Sequence, residues 1–203
     1  MQKPLFPGQK PSTRMTLEQV GCLTSVARVE VYWNCSTSTP RSIAEIAQII
    51  NRSASATTYH VNELLRVGLL MVVGERKKRS RVEKLYVIAA RPGFVTGGLD
   101  ALPEYREKVL ESYACLLRLM LRERQAYNMR SQDQPGLLSF STYRRYQVRV
   151  SEERSLEFKE RTTNLLREFA AEPSDPDGMN MSISFFMSPS LGEMKPPRKK
   201  RSD

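Results

Sequence analysis

Two groups of residues in this chain have types and spacings suited to gripping a polyanion. The run S-A-S-A-T-T-Y-H-V-N-E-L-L-R-V places Val61, Leu64 and Leu65 at helical steps, so that one face is apolar. The positions left outside are Ser55, Thr58, Tyr59 and Asn62, all small or hydrogen-bonding. Such a face can approach the floor of a major groove, and its hydroxyls and amide can reach base edges and phosphates. Arg52, Ser53 and Thr57, at the start of the same helix, join this candidate DNA-binding set. The second group is Arg76, Lys77, Lys78, Arg79 and Arg81, five cations around Ser80. Like charges this close repel one another unless a polyanion lies beside them, and they are well placed to touch phosphates or an adjacent minor groove. The chemistry is that of binding, not of bond-breaking.

The elements that must hold these groups can be read from start and stop signals. Ser42 and Glu45 have capping-box spacing, and Ile43, Ile46, Ala47 and Ile50 follow as one apolar stripe. Asn51 and Arg52 interrupt the stripe, and Ser53 can cap a second helix that runs to Val67. Gly68 stands where a helix end turns left-handed. Beyond it the period changes to that of strands. Leu70 to Val73 is β-prone, and Val82, Lys84, Tyr86 and Ile88 alternate with their neighbours. The expected order is helix, turn, helix and a two-stranded hairpin with a basic tip.

The run S-I-A-E-I-A-Q-I-I followed by S-A-S-A-T-T-Y-H-V-N-E-L-L-R-V-G-L-L, then a basic hairpin and K-L-Y, resembles the winged helix-turn-helix of ArsR-like bacterial transcriptional regulators. The preceding L-T-S-V-A-R-V-E-V-Y-W-N is similar to that family's first helix, and the resemblance covers roughly Leu23 to Ala89. It implies a cytoplasmic homodimer that lays the 53–67 helix in the major groove of operator DNA and the 74–84 wing on the backbone or minor groove. Metal-sensing members carry a Cys-rich segment on the helix matching Ile43–Ile50. This chain has no Cys there, so no metal site is implied.

Charge is distributed unevenly. Of the net charge of +10, residues 1–98 carry +8, residues 99–188 carry −1 and residues 189–203 carry +3. This asymmetry points to one nucleic-acid-binding end. The apolar fraction of 40% supports a core. No run approaches the roughly 18 apolar residues of a membrane span, and no signal-peptide core opens the chain. Cys22, Cys35 and Cys115 are odd in number and lack metal-ligand spacing, which fits buried hydrophobes in a reducing cytoplasm. His60, the lone histidine, has no partners for a metal.

The fold expected is mainly α with small β elements: a flexible arm over 1–15, the winged helix-turn-helix over 16–98, a dimerisation and effector region over 99–188 and a basic tail over 189–203. Within the first helix of the winged unit, 24–35, Trp33 is expected in the core. Gly and Pro around 91–102 mark a linker. A helix starting at Pro103 and running to about Asn128 carries Val109, Tyr113, Leu116, Leu117, Met120 and Tyr127, a stripe expected to pair with a second copy. Alternation over Phe140–Val150 and Met179–Met187 predicts two strands around a helix that begins at Ser151, with Phe158, Thr162, Leu165, Leu166 and Phe169 on its inner face. This strand-helix-strand unit could hold an unidentified small-molecule effector.

The function expected is sequence-specific DNA binding by a transcriptional regulator whose partner is double-stranded DNA, with no cofactor. The alternative is a winged helix used for protein–protein assembly or RNA. Its mark would be an apolar or acidic second helix and a neutral wing. No nucleophile elbow, phosphate-binding Gly loop, H-E-x-x-H or dinucleotide fingerprint is present, which argues against an enzyme.

Overall fold

The structure, a computed structural model, describes residues 6–8, 15–36, 39–78, 81–89, 102–134, 142, 146–170 and 181–187. Most of the expected arm, Arg79 and Ser80, the 91–101 linker, the start of the 140–150 segment and the basic tail lie outside these. The chain divides into two compact units, 1–138 and 139–203. The long helix that follows the expected 98/99 boundary packs onto the N-terminal helices.

Helices α1 (Leu17–Cys22), α2 (Val26–Asn34), α3 (Ile43–Ile49) and α4 (Ala54–Arg66) lead into strands β1 (Leu70–Lys78) and β2 (Arg81–Ile88), then α5 (Pro103–Asp133). Local chemistry sets most of these boundaries. The Ser42 backbone N–H donates to Glu45 Oε2 at 2.8 Å, and the Glu45 N–H donates to Ser42 Oγ, closing the expected capping box. Thr16 and Gln19 form a second one at the start of α1. Ser53 caps α4, accepting from the Ala56 N–H at 3.2 Å.

The turn between α3 and α4 has Asn51 at φ 52°. There the Arg52 N–H reaches Ala47 O and the Asn51 N–H reaches Gln48 O, the paired bonds of a Schellman ending. Asn enters the left-handed region more readily than most residues because its short amide bonds locally. The same pair of bonds ends α4, with Gly68 at φ 68° and Leu69 folded back over Leu64.

α2 lies at the centre. Val29, Glu30, Val31 and Tyr32 are all buried, four in succession, because α3, α4 and α5 surround the helix on several sides. That explains the mixed periodicity of its sequence. Trp33 falls on the remaining face and is 42% exposed, which corrects its expected place in the core. On α5, Ser112, Cys115 and Leu119 point inward, supported by Tyr105, Val109 and Leu116. The Tyr105 hydroxyl donates to Met15 O at 3.1 Å.

β1 and β2 pair antiparallel, from Leu70 opposite Ile88 to Lys78 opposite Arg81, with a bulge between Val72 and Gly74. The strands run further than the hydrophobic pattern indicates. Glu75 faces Lys84 and Arg76 faces Glu83, so opposite charges carry the ladder through the basic stretch. Arg41 adds a rung by exchanging backbone hydrogen bonds with Tyr86, tying the hairpin to the segment just before α3.

The second unit contains α6 (Glu152–Ala170), whose first turn is capped by Ser151, accepting from the Arg154 N–H. The described parts of the two expected strands, 146–150 and 181–187, have no ladder partner among the described residues. Alternation makes a segment suitable for pairing, but a strand needs a second chain segment to supply its hydrogen bonds. Of the expected strand-helix-strand unit, the described residues show the helix and no paired strand. Of the expected inner face of α6, Phe158, Leu165 and Phe169 are exposed and Thr162 and Leu166 are half-buried. The described residues are mainly helical, with a two-stranded antiparallel sheet after the helix-turn-helix.

Candidate nucleic-acid interface

α4 presents its two faces as the spacing predicts. Val61 and Leu64 are fully buried, while Ser55, Tyr59 and Asn62 are exposed and Thr58 is half-exposed. The Thr58 hydroxyl donates to Ala54 O at 2.7 Å, which leaves its oxygen free to accept. Tyr59 is 61% exposed and meets the His60 ring edge-on at 5.3 Å. Ser53 is exposed but spends its oxygen on the cap.

Thr57 departs from the expected set. It has no exposed surface, and its hydroxyl donates to Ser53 O at 2.9 Å. It sits one turn before Val61 and shares that inward face. A side chain buried in the core cannot meet DNA, so Thr57 is a packing residue.

The basic residues divide by partner. Arg76 donates to Glu45 Oε1 at 2.9 Å and to Glu83 Oε2 at 3.1 Å, so its guanidinium fastens the hairpin to α3. These contacts raise the Arg76 pKa, and the capping bonds with Ser42 together with Arg76 outweigh burial to hold Glu45 below the ordinary carboxylate value. Lys77, Lys78 and Arg81 are exposed along the hairpin. Arg79 lies outside the described residues.

Arg52 is held as well, its Nε donating to Glu30 Oε2 at 2.7 Å. The other Glu30 oxygen accepts from Arg122 of α5. The Glu30 side chain is only 10% exposed, so one carboxylate on α2 joins the helix-turn-helix turn to α5. Sequence reasoning missed this contact. Its one signal was an isolated acid in the apolar run V-E-V-Y-W. His60 lies near the same charges. Its Nδ1 is buried without a hydrogen-bond partner although the ring is half-exposed, and burial followed by Arg28 and Arg52 lowers its pKa.

The expected pairing residues of α5 do not share one environment. Val109 and Leu116 pack on this chain's own core, Tyr113, Met120 and Tyr127 are half-buried, and Leu117 is 52% exposed. Leu110 and Leu121 are exposed with Leu117, making a narrower apolar stripe on the outer side.

A cleft of about 330 Å³ lies among α1, α4 and α5, lined in part by Glu18, Glu63, Arg66 and Lys108. Its charges largely satisfy one another, with Arg66 bound to both Glu18 and Glu63. Among the described residues there is no cluster of three or more His, Cys, Asp or Glu fit for a metal ion, and no helix long and apolar enough to cross a membrane. All three cysteines are buried as free thiols, and burial pushes Cys35 up to about 12.

Residues 23–73, about a quarter of the chain, match the sequence model of a helix-turn-helix domain. No curated protein matches the chain. Among similar solved structures is Lactococcus lactis ZitR, wild type, in complex with DNA. It is 12% identical, with 83% of this chain and 84% of that one covered, at a TM-score of 0.21. At that score the likeness says nothing about this chain's function. The domain match spans α2, α3, α4 and the start of β1, and with the paired hairpin it defines a helix-turn-helix with a two-stranded wing.

Proposed function

We propose that this chain is a sequence-specific DNA-binding transcriptional regulator, acting as a homodimer that reads an inverted repeat. The observation that carries the reading is the exposed, small and polar face of α4 beside the exposed cations of β1 and β2. Ser55, Thr58, Tyr59 and Asn62 meet base edges and nearby phosphates in the major groove. Lys77, Lys78, Arg79 and Arg81 grip the backbone or the adjacent minor groove. Arg76 and Arg52 act differently. Their ion pairs hold the wing and the start of α4 at fixed positions, and the groups that touch DNA depend on that.

The homodimer places two α4 helices about 34 Å apart, one turn of DNA. The outer stripe of α5, centred on Leu117, supplies one apolar surface for it. A protein-assembly module would need an apolar or acidic α4 face, and the polar face beside exposed cations favours a nucleic acid instead. The C-terminal unit as an effector site is part of the same proposal.

The test is binding of duplex DNA across a salt series, for the wild type and for a variant with Lys77, Lys78, Arg79 and Arg81 replaced by Ala. Each lost phosphate contact lowers the slope of log affinity against log salt by about 0.9. A shallower slope with the fold intact supports the wing as a backbone grip. An unchanged slope removes it.

A further inference from the structure

The outer face of α6 has the spacing of a helix-pairing seam. Ser155, Phe158, Thr162, Leu165 and Phe169 follow in steps of three, four, three and four, the a/d pattern of a coiled coil. This seam is open. Phe158 is 55% exposed, Leu165 is 65% and Phe169 is 47%. Phe185 meets Phe158 at 6.4 Å, so the apolar surface continues onto the 181–187 segment.

We propose that α6 pairs antiparallel with α6 of a second copy of this chain, through the Phe158–Phe169 seam. The charges beside the seam select that occupant and that direction. Arg161 and Glu168 stand one heptad apart, both immediately before a seam position, both exposed. When two copies pair antiparallel, flanking residues of this kind face each other across the seam. With Thr162 opposite Leu165 of the second copy, Phe158 comes opposite Phe169, and Arg161 comes opposite Glu168. The two-fold axis forms each of these contacts twice. In a parallel arrangement these two positions lie on opposite sides of the seam, so Arg161 meets Leu166 of the second copy and the Arg161–Glu168 contact is lost. The charges beside the seam are thus complementary in the antiparallel orientation alone.

This interface is separate from the outer stripe of α5 and needs no DNA. The response of self-association to charge reversal at Arg161 or Glu168 tests the seam, while the salt slope of duplex binding tests the regulator reading. The test is sedimentation of the full chain without DNA over a concentration series. The proteins are the wild type, Glu168→Arg, Arg161→Glu and the double exchange Arg161→Glu/Glu168→Arg. Each single reversal places like charges together twice per dimer and is expected to weaken self-association about tenfold. Arg161→Glu also gives up the 3.7 Å ion pair with Glu157 in its own helix, so circular dichroism checks that helix content is kept and Glu168→Arg carries the comparison. The double exchange restores the contact with its signs reversed and is expected to return association to within about threefold of wild type. Arg161 and Glu168 are too far apart along one helix to rescue each other within a single chain. A wild type that stays monomeric, single reversals without effect, or a double exchange no better than the singles would each overturn the pairing.

Discussion

Glu30 receives two arginines from different parts of the fold, Arg52 at the turn before α4 and Arg122 on α5. Removing its charge leaves two guanidinium groups without their carboxylate in a half-buried place. Glu30→Gln is therefore expected to cost roughly 1–3 kcal/mol of stability, read as a lower denaturant midpoint. An unchanged midpoint would show the contact to be incidental. His60, close to the same arginines, gives a pH signature. Its folded-state pKa is lowered, so the unfolded chain takes up the proton first. That contribution is complete above the ordinary value of 6.5 and is lost as pH falls below it. Glu123, raised by burial and then by Glu30, works in the opposite sense at acid pH. The comparison that isolates His60 is therefore the wild type against His60→Gln. The variant should lose less thermal stability between about pH 7 and about pH 5. Equal losses would contradict the depressed histidine. Two glycines separate torsion from crowding. A Cβ at Gly68 or at Gly21 meets open space, yet only Gly68 has a positive φ. Gly68→Ala is expected to cost about 1 kcal/mol, while Gly21→Ala, inside α1, gains a few tenths or more. The same sign at both sites in equilibrium unfolding would refute the torsional account.

At the scale of the element, what could be read from sequence was what depends on near neighbours. The Ser42–Glu45 capping box, the Ser53 cap and the Gly68 ending each involve residues a few positions apart, and each is in the structure. The two faces of α4 followed from its period, with Thr57 as the exception. Its hydroxyl resembles those of its exposed neighbours, but its spacing from Val61 places it inside. Features settled by distant partners were not legible. Trp33 is exposed because three other helices use the remaining faces of α2, and the basic hairpin extends because Glu75 and Glu83 pair across it. The described flanks of α6, 146–150 and 181–187, alternate like strands but have no ladder partner among the described residues, since alternation alone supplies no partner segment. On α5 the inner and outer faces give opposite predictions. Leu119→Ala removes a buried side chain and should cost about 2–5 kcal/mol. Leu117→Glu, at an exposed position, should leave monomer stability nearly unchanged and weaken self-association in sedimentation. A large stability loss from Leu117→Glu would place that residue in the core instead.

For the whole molecule, the net charge of +10 is concentrated in the N-terminal part that contains the helix-turn-helix and wing. Charge at one end, an exposed polar helix and a wing fastened through Arg76 together favour docking on a duplex over general attraction to polyanions. The wing and α4 keep a fixed relation because Glu45 caps α3 and binds Arg76 at the same time. On the proposed reading, affinity comes mainly from exposed cations, and sequence preference from four side chains on one helix. The most direct measurement is enrichment of binding sites from a random duplex pool by the full chain, repeated with Asn62→Ala. The account predicts an inverted repeat with half-site centres about one helical turn apart, and relaxed preference at one position of each half-site in the variant. A pool that stays unenriched, or a variant that selects the same site with the same stringency, would contradict sequence reading by α4.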